Sequence, residues 1–379
     1  AGEDLTVPEL FLQGSGSERA GPSEEDDWSW TGVSSVDHSS MIDSLLTIEP
    51  QLLRRQRFEI GEQVAEGNLF RVHRARDLLL GRHVRVLLSR PDGPLTRDAF
   101  IRTVRLQGAL QHQCIQPVYE VDKTENGTPF LATADGLDRT LDQVLEGLRR
   151  EEPSRRDWGL LRLLEALLDV ARAIAFAHRQ GVVHRDLRPS KVRLGEFGEC
   201  HVSGWFRAQS KADEEQRSVA PELEQVSGGL GYLSPERLEH GLEVCGQAAD
   251  TWSLGAMLYA VLSLCPPFTG RSSKAVLEEI GLGQLAPPSK RTRREVPPAL
   301  ETLCMQALEV DPERRRLSVE EFASEVEDYL DGTRAEERRL EHAEELLEDA
   351  AHAAKRYNDA REHLSAARQE ESAAGPGRQ

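Results

Sequence analysis

Lysine is nearly missing from this chain. There are six in 379 residues, and none precedes Lys123. Chemistry that needs an ammonium group in the first third is therefore excluded, because the planar arginine fork does not replace a point charge. Cysteine is also sparse. Cys114, Cys200, Cys245, Cys265 and Cys304 are scattered with no Cys-x-x-Cys pair. That excludes a disulfide framework and a zinc site of the usual spacing, and we expect a reducing, cytoplasmic setting. No apolar run reaches the roughly 18 residues of a bilayer span, and no secretory signal pattern is read. Positive charge is in deficit: 47 Lys and Arg against 65 Asp and Glu give a net charge of -18. Such a balance speaks against non-specific nucleic-acid binding.

What is present falls into three parts. Residues 1–57 are acidic and rich in Ser and Gly, with Glu24-Glu25-Asp26-Asp27 beside Trp28 and Trp30. Low hydrophobicity with acidic bias predicts disorder there, with the two tryptophans as a candidate docking motif. Residues 41–53 have the spacing of a short helix. From Phe58 the pattern changes to short apolar or alternating runs with Gly punctuation, among them residues 84–88, 118–121 and 130–132, which read as strands. Residues 100–110 have helical spacing. Residues 160–178 form a long apolar-striped helix, and 248–264 are apolar nearly throughout, hence a buried helix. The fold class is α+β, with a β-rich lobe over 58–134 and a larger helical lobe over 135–332. Residues 333–379 are charged and Ala-rich. Leu340, Ala343, Leu347, Ala350, Ala354, Tyr357 and Leu364 follow heptad spacing, interrupted at Arg361, which predicts a long helix or coiled coil and a possible homodimer seam.

The chemistry concentrates in His184-Arg185-Asp186-Leu187-Arg188-Pro189-Ser190-Lys191. Further on come Tyr232-Leu233-Ser234-Pro235-Glu236, Asp250-Thr251-Trp252-Ser253-Leu254-Gly255, and Asp311-Pro312 followed by Arg315. In this order and spacing, residues 58–332 resemble a eukaryotic-type Ser/Thr protein kinase domain, most like those of planctomycetes and myxobacteria. The resemblance implies the bilobal kinase-like fold. It puts Asp186, beside Arg188, at the position of the base for a substrate hydroxyl; given the losses at the nucleotide and metal positions, we read it as a structural Asp, salt-bridged to the neighbouring cations. It gives His184 and Arg185 the task of propping that loop, and Asp250 that of holding its backbone. It pairs Glu236 with Arg315 as a buried ion pair.

Other positions depart from the family pattern. In Ala65-Glu66-Gly67-Asn68-Leu69-Phe70-Arg71-Val72, only Gly67 survives of the loop that closes over phosphates, and Phe70 brings a large ring that would fill the pocket. Leu87 stands at the strand lysine, with Arg85 as the nearest cation. Thr103 stands at that lysine's glutamate partner. Gly204 takes the metal-binding Asp position, with Ser203 the alternative after a one-residue shift. Lys191 takes the place of the metal-binding Asn, a cation where a cation should bind. Gly229 replaces a substrate-positioning Thr, and Ser210, Ser218 and Ser227 are candidate phosphosites. The reading is a pseudokinase that works through protein partners, an active kinase among them, with no metal site and no cofactor. The alternatives are a weakly active atypical kinase using Lys191 and Arg85, with ATP and magnesium, and a module that binds phosphopeptides or other anions at Arg188, Lys191 and Arg193.

Overall fold

In the computed structural model the described residues are 57–93, 95–152, 158–210, 229–242, 245–282 and 285–373. The chain divides after Arg54. The acidic stretch with its tryptophans, the 41–53 helix, and the candidate phosphosites Ser218 and Ser227 lie outside the described residues.

Three antiparallel strands open the fold: β1 (Phe58–Glu66), β2 (Phe70–Asp77) and β3 (Arg82–Ser89). Helix α1 (Arg97–Ala109) follows, capped by Thr96, whose hydroxyl accepts the Ala99 amide at 3.2 Å. Strands β4 (Val118–Lys123) and β5 (Pro129–Ala134) complete a five-stranded sheet of order β1-β2-β3-β5-β4. The period of two along β3 decides which side chains share a face. Val84 and Val86 join Ala75, Phe130 and Ala132 on one face. Leu87, two residues beyond Arg85, packs with Phe100, Val104 and Leu131 beneath α1 on the other.

The second lobe begins with β6 (Arg139–Thr140) and α2 (Leu141–Arg149), whose Thr140 and Gln143 form a capping box. Helix α3 (Leu160–Arg179), strands β7 (Val182–Val183), β8 (Val192–Leu194), β9 (Cys200–Val202) and β10 (Gln209–Ser210), and helices α4 (Pro235–His240) and α5 (Gln247–Ser263) follow. Strands β6, β8 and β9 form one small sheet, and β7 pairs with β10. Every residue of α5 from Ala249 to Ser263 is buried, as its uniformly apolar sequence requires. Helix α6 (Ser273–Gly281) follows, and α5 is flanked by α3, α7 (Pro298–Ala307) and α8 (Val319–Ala373). Gly255 lets α5 approach α7: a Cβ there would lie 2.6 Å from that of Ala307.

Helix α8 is one continuous element. Val319, Phe322, Ala323, Val326 and Leu330 are buried where it packs on α3 and α7. Ion pairs Arg172–Glu327 at 2.5 Å and Arg334–Glu165 fasten it to α3. It runs through Gly332 unbroken, because one exposed glycine costs about 1 kcal/mol, which the buried turns before it offset. The boundary read at 332 therefore falls inside a helix. The structure thus has a β-sheet lobe, a helical lobe and a long C-terminal helix.

Candidate functional site

The loop between β7 and β8 carries Asp186, and its shape is fixed from behind by α5. Asp250 accepts the backbone amides of His184 and Arg185 at 2.8 and 2.9 Å, and His178 Nε2 donates to it at 2.9 Å. Burial pushes the Asp250 carboxyl up, but the His178 hydrogen bond and its neighbours outweigh that and hold it low. His184 donates from Nε2 to the Ser203 carbonyl at 3.1 Å and accepts the Asp186 amide at Nδ1. Burial pushes His184 down, so the ring is neutral and joins two loops. Arg185, at φ 67°, sends its guanidinium to the Cys245 and Leu242 carbonyls. Glu236 meets Arg315 at 2.9 and 3.3 Å, and Arg315 also donates to the carbonyls of Ala248, Glu309 and Val310.

Asp186 itself is fully buried and surrounded by cations. Arg207 Nη1 donates to its Oδ2 at 2.8 Å, Lys191 Nζ lies 3.8 Å from the same oxygen, and Arg188 Nε lies 3.6 Å from Oδ1. Burial pushes Asp186 up, and Arg188, Lys191 and Arg207 together pull it below the usual carboxylate range. Arg207 is absent from the sequence reading, which stopped one residue earlier at Phe206. The signal available was its place directly after the Trp205-Phe206 pair, in the 3₁₀ turn Trp205–Arg207.

Lys191 and Gly204 fit one another. Gly204 has φ 89°, and a Cβ built there would stand 2.7 Å from Lys191 Cδ and 3.3 Å from its Nζ. The lysine side chain therefore occupies the space that a carboxylate at position 204 would enter. Just beyond the β8–β9 pairing, Ser203 donates from both N and Oγ to the Lys191 carbonyl, at 2.8 and 2.9 Å. Of the two alignments, Gly204 is the residue that faces the lysine side chain. A similar fit recurs at Gly229, where φ is 70° and a Cβ would lie 2.9 Å from Arg188 Cδ. Gly204→Ala is expected to destabilise by about 1–3 kcal/mol, from the left-handed backbone and the overlap with Lys191. The cost should shrink in a Lys191→Ala background, a coupling measurable by urea denaturation of the four proteins in the cycle.

Aromatic rings from β2, α1 and the turn after β9 form one buried cluster. Phe70 is turned inward and buried, with its ring 4.4 Å from Phe206 and 6.2 Å from Phe100. Phe100 and Phe206 stack at 6.3 Å. Leu87 packs against this cluster, and Thr103 is buried on the adjoining face of α1. Gly67 turns the loop, its amide bonded to the Phe70 carbonyl at 2.8 Å, and Val72 pairs with Leu87 across β2 and β3. Arg85 does not reach toward phosphates. Its Nε bonds Asp135 Oδ1 at 2.7 Å and its Nη2 bonds Asp138 Oδ1 at 2.8 Å, both on the link after β5. Arg193 donates to the Leu137 carbonyl on the same link and is not among the ion-pair partners of Asp186 described above. Among the described residues no group of three His, Cys, Asp or Glu side chains converges as a metal-ligand set.

A sheet lobe over a helical lobe, a loop aspartate held by the α5 aspartate, and a buried Glu–Arg pair define a class. Residues 86–326 match the family model for the protein kinase domain, and the chain belongs to that family. It is similar to a probable serine/threonine-protein kinase of Streptomyces coelicolor, with 30% identity over 282 residues, 73% of this chain and 40% of that one. It is similar to serine/threonine-protein kinase PknB of Mycolicibacterium smegmatis, with 30% identity over 278 residues, 71% of this chain and 42% of the relative. Serine/threonine-protein kinase PknD of Chlamydia pneumoniae is 27% identical over 302 residues, 73% of this chain and 31% of its own. The chain thus spans less than half the length of these curated relatives.

Proposed function

We propose that this chain is a pseudokinase: a kinase-shaped signalling scaffold or allosteric regulator with little or no ATP-dependent phosphoryl transfer. The observation that carries this reading is the Lys191–Gly204 fit beside Asp186. Phosphoryl transfer depends on positioning and on metal ions that neutralise the developing charge. Hard cations need oxygen ligands. The two metal-binding positions here hold an ammonium and a glycine, and that ammonium is directed at Asp186, so magnesium does not fit. Support also comes from Leu87 and Thr103, which leave no ion pair for the phosphates, and from the buried cluster of Phe70, Phe100 and Phe206 rings. Neither ATP nor magnesium is proposed as a cofactor.

The protein would then act through partners, an active kinase among them, with α8 and the acidic first 57 residues as docking elements. The cysteine usage supports a cytoplasmic setting, and no described helix is long and apolar enough to cross a membrane.

A second reading rests on the kept Asp186 and on relatives whose names are those of kinases: a weak atypical kinase. It needs a cation at the phosphates, and Arg85 is bonded to Asp135 and Asp138 instead. A third reading, an anion or phosphopeptide module, draws on the cations around Asp186. Incubation of the full chain with labelled ATP, magnesium and a generic acceptor protein separates the first two. We expect no label above background, and label that disappears in Asp186→Asn would establish the atypical kinase.

A further inference from the structure

Beyond the lobes, α8 carries an apolar seam with nothing against it among the described residues. Leu340, Leu347, Tyr357 and Leu364 are 56% to 70% exposed. They occupy a and d positions of an unbroken heptad frame in which Ala343, Ala350 and Ala354 fill the remaining places and Arg361 the a site between Tyr357 and Leu364. A protruding helix whose apolar stripe meets only water gains nothing from tertiary packing, the main source of helix stability in proteins. A seam with this period suits a second helix.

Charge along this segment says which helix, and in which direction. Residues 336–349 contain seven acidic and two basic side chains, whereas 355–368 contain four basic and two acidic. A second copy running parallel would set acidic half against acidic half and Arg361 against Arg361. A second copy turned end for end sets acidic half against basic half. The a and d positions then match about a two-fold centre at His352, because residues equally distant from it face one another. Leu340 meets Leu364, Leu347 meets Tyr357, and Ala350 meets Ala354 at a close central approach. Arg361, the residue that breaks the seam, falls opposite the small Ala343 and beside the acidic half of the partner. One layer further out, at the next d and a positions, Glu336 faces Arg368. On the flank formed by the e positions, where facing residues are offset by one from the a and d centre, there is no like-charge contact: Glu344 lies nearest Asn358, Glu337 nearest Ser365, and Ala351 nearest its own copy.

We propose that α8 is a homodimerisation helix that pairs with a second copy of this chain as an antiparallel coiled coil centred on His352. At about 1.5 Å per residue the two points where the helices leave their lobes lie about 54 Å apart. The dimer therefore holds two kinase-like lobes at opposite ends of a rod. This inference is independent of whether the domain transfers phosphate.

The test uses the full chain with Leu340→Cys and Leu364→Cys variants, one carrying a size tag. Each is oxidised alone and in an equal mixture, in a Cys265→Ser background because the other native cysteines are buried. The expected result is a disulfide that forms only in the mixture, between 340 and 364, on a protein that sediments as a dimer. Disulfides in each variant alone would mean a parallel seam and overturn the proposal. So would a sedimentation mass that stays monomeric at all concentrations, which would assign the seam to a different partner. Arg368→Glu is expected to dissociate the dimer at concentrations where the native chain pairs, and Glu336→Arg added to it should restore pairing. In a parallel dimer, where neither residue faces the other, no such rescue occurs.

Discussion

Arg315→Ala should remove about 3–5 kcal/mol of stability and leave the helical lobe close to unfolding at physiological temperature. The magnitude follows from breaking a buried ion pair on one side only, which strands Glu236 without its partner. Arg315 is fully buried at its side chain, bonds both carboxylate oxygens of Glu236, and also closes the carbonyls of Ala248, Glu309 and Val310. Its guanidinium lies over the Trp252 ring at 4.9 Å. At about 2–4 °C per kcal/mol for a domain of this size, the melting temperature should fall by roughly 10 °C. Calorimetry of the two proteins checks this. A loss below 1 kcal/mol would mean that the pair is solvated rather than structural.

Asp250→Ala should have an effect of similar size, about 3 kcal/mol or more, since three donors lose a charged acceptor inside the core. Two of them are backbone amides of the loop that carries Asp186, so the loop loosens as well as the lobe. The pH dependence has a definite sign. Asp250 and Asp186 are both held below the ordinary carboxylate range in the folded chain. Their contribution is complete above about pH 4, the unfolded value. It is lost as pH falls through the lower native values. The acid limb of the stability profile should accordingly be flatter in Asp250→Asn than in the native chain. An unchanged limb, read by urea midpoints between pH 6 and pH 2, would contradict the assignment.

How much of this was legible in the sequence differs between scaffold and site. The roles of Asp250, Glu236 and Arg315 could be named in advance because each belongs to a short motif with a fixed backbone environment. Strand β3 was legible because the alternation of Val84, Arg85, Val86 and Leu87 states which face each occupies. That α8 is a long helix was legible because a local, exposed helix obeys its period. The site itself was less so. Lys191 and Gly204 read as two separate losses, 13 residues apart, whereas in three dimensions the glycine is the space into which the lysine lies. Arg207 gave no signal by type, since an arginine in a loop is ordinarily solvated; its place after Trp205-Phe206 was the one hint, and its burial against Asp186 makes the role plain. The Arg85 contacts with Asp135 and Asp138 join residues 50 and 53 apart, a separation that no periodicity reports.

On the proposed reading the Lys191 ammonium stands where magnesium would bind, and ligand-dependent thermal unfolding tests this most directly. Thermal unfolding of the full chain is followed with ATP alone, with magnesium alone and with both. Saturation at about 100 times a dissociation constant would add about 2.7 kcal/mol, a rise of roughly 5–10 °C for a domain of this size. No magnesium-dependent rise is expected in the native chain. A clear rise that needs both ATP and magnesium, and that is lost on removing Asp186, would contradict it.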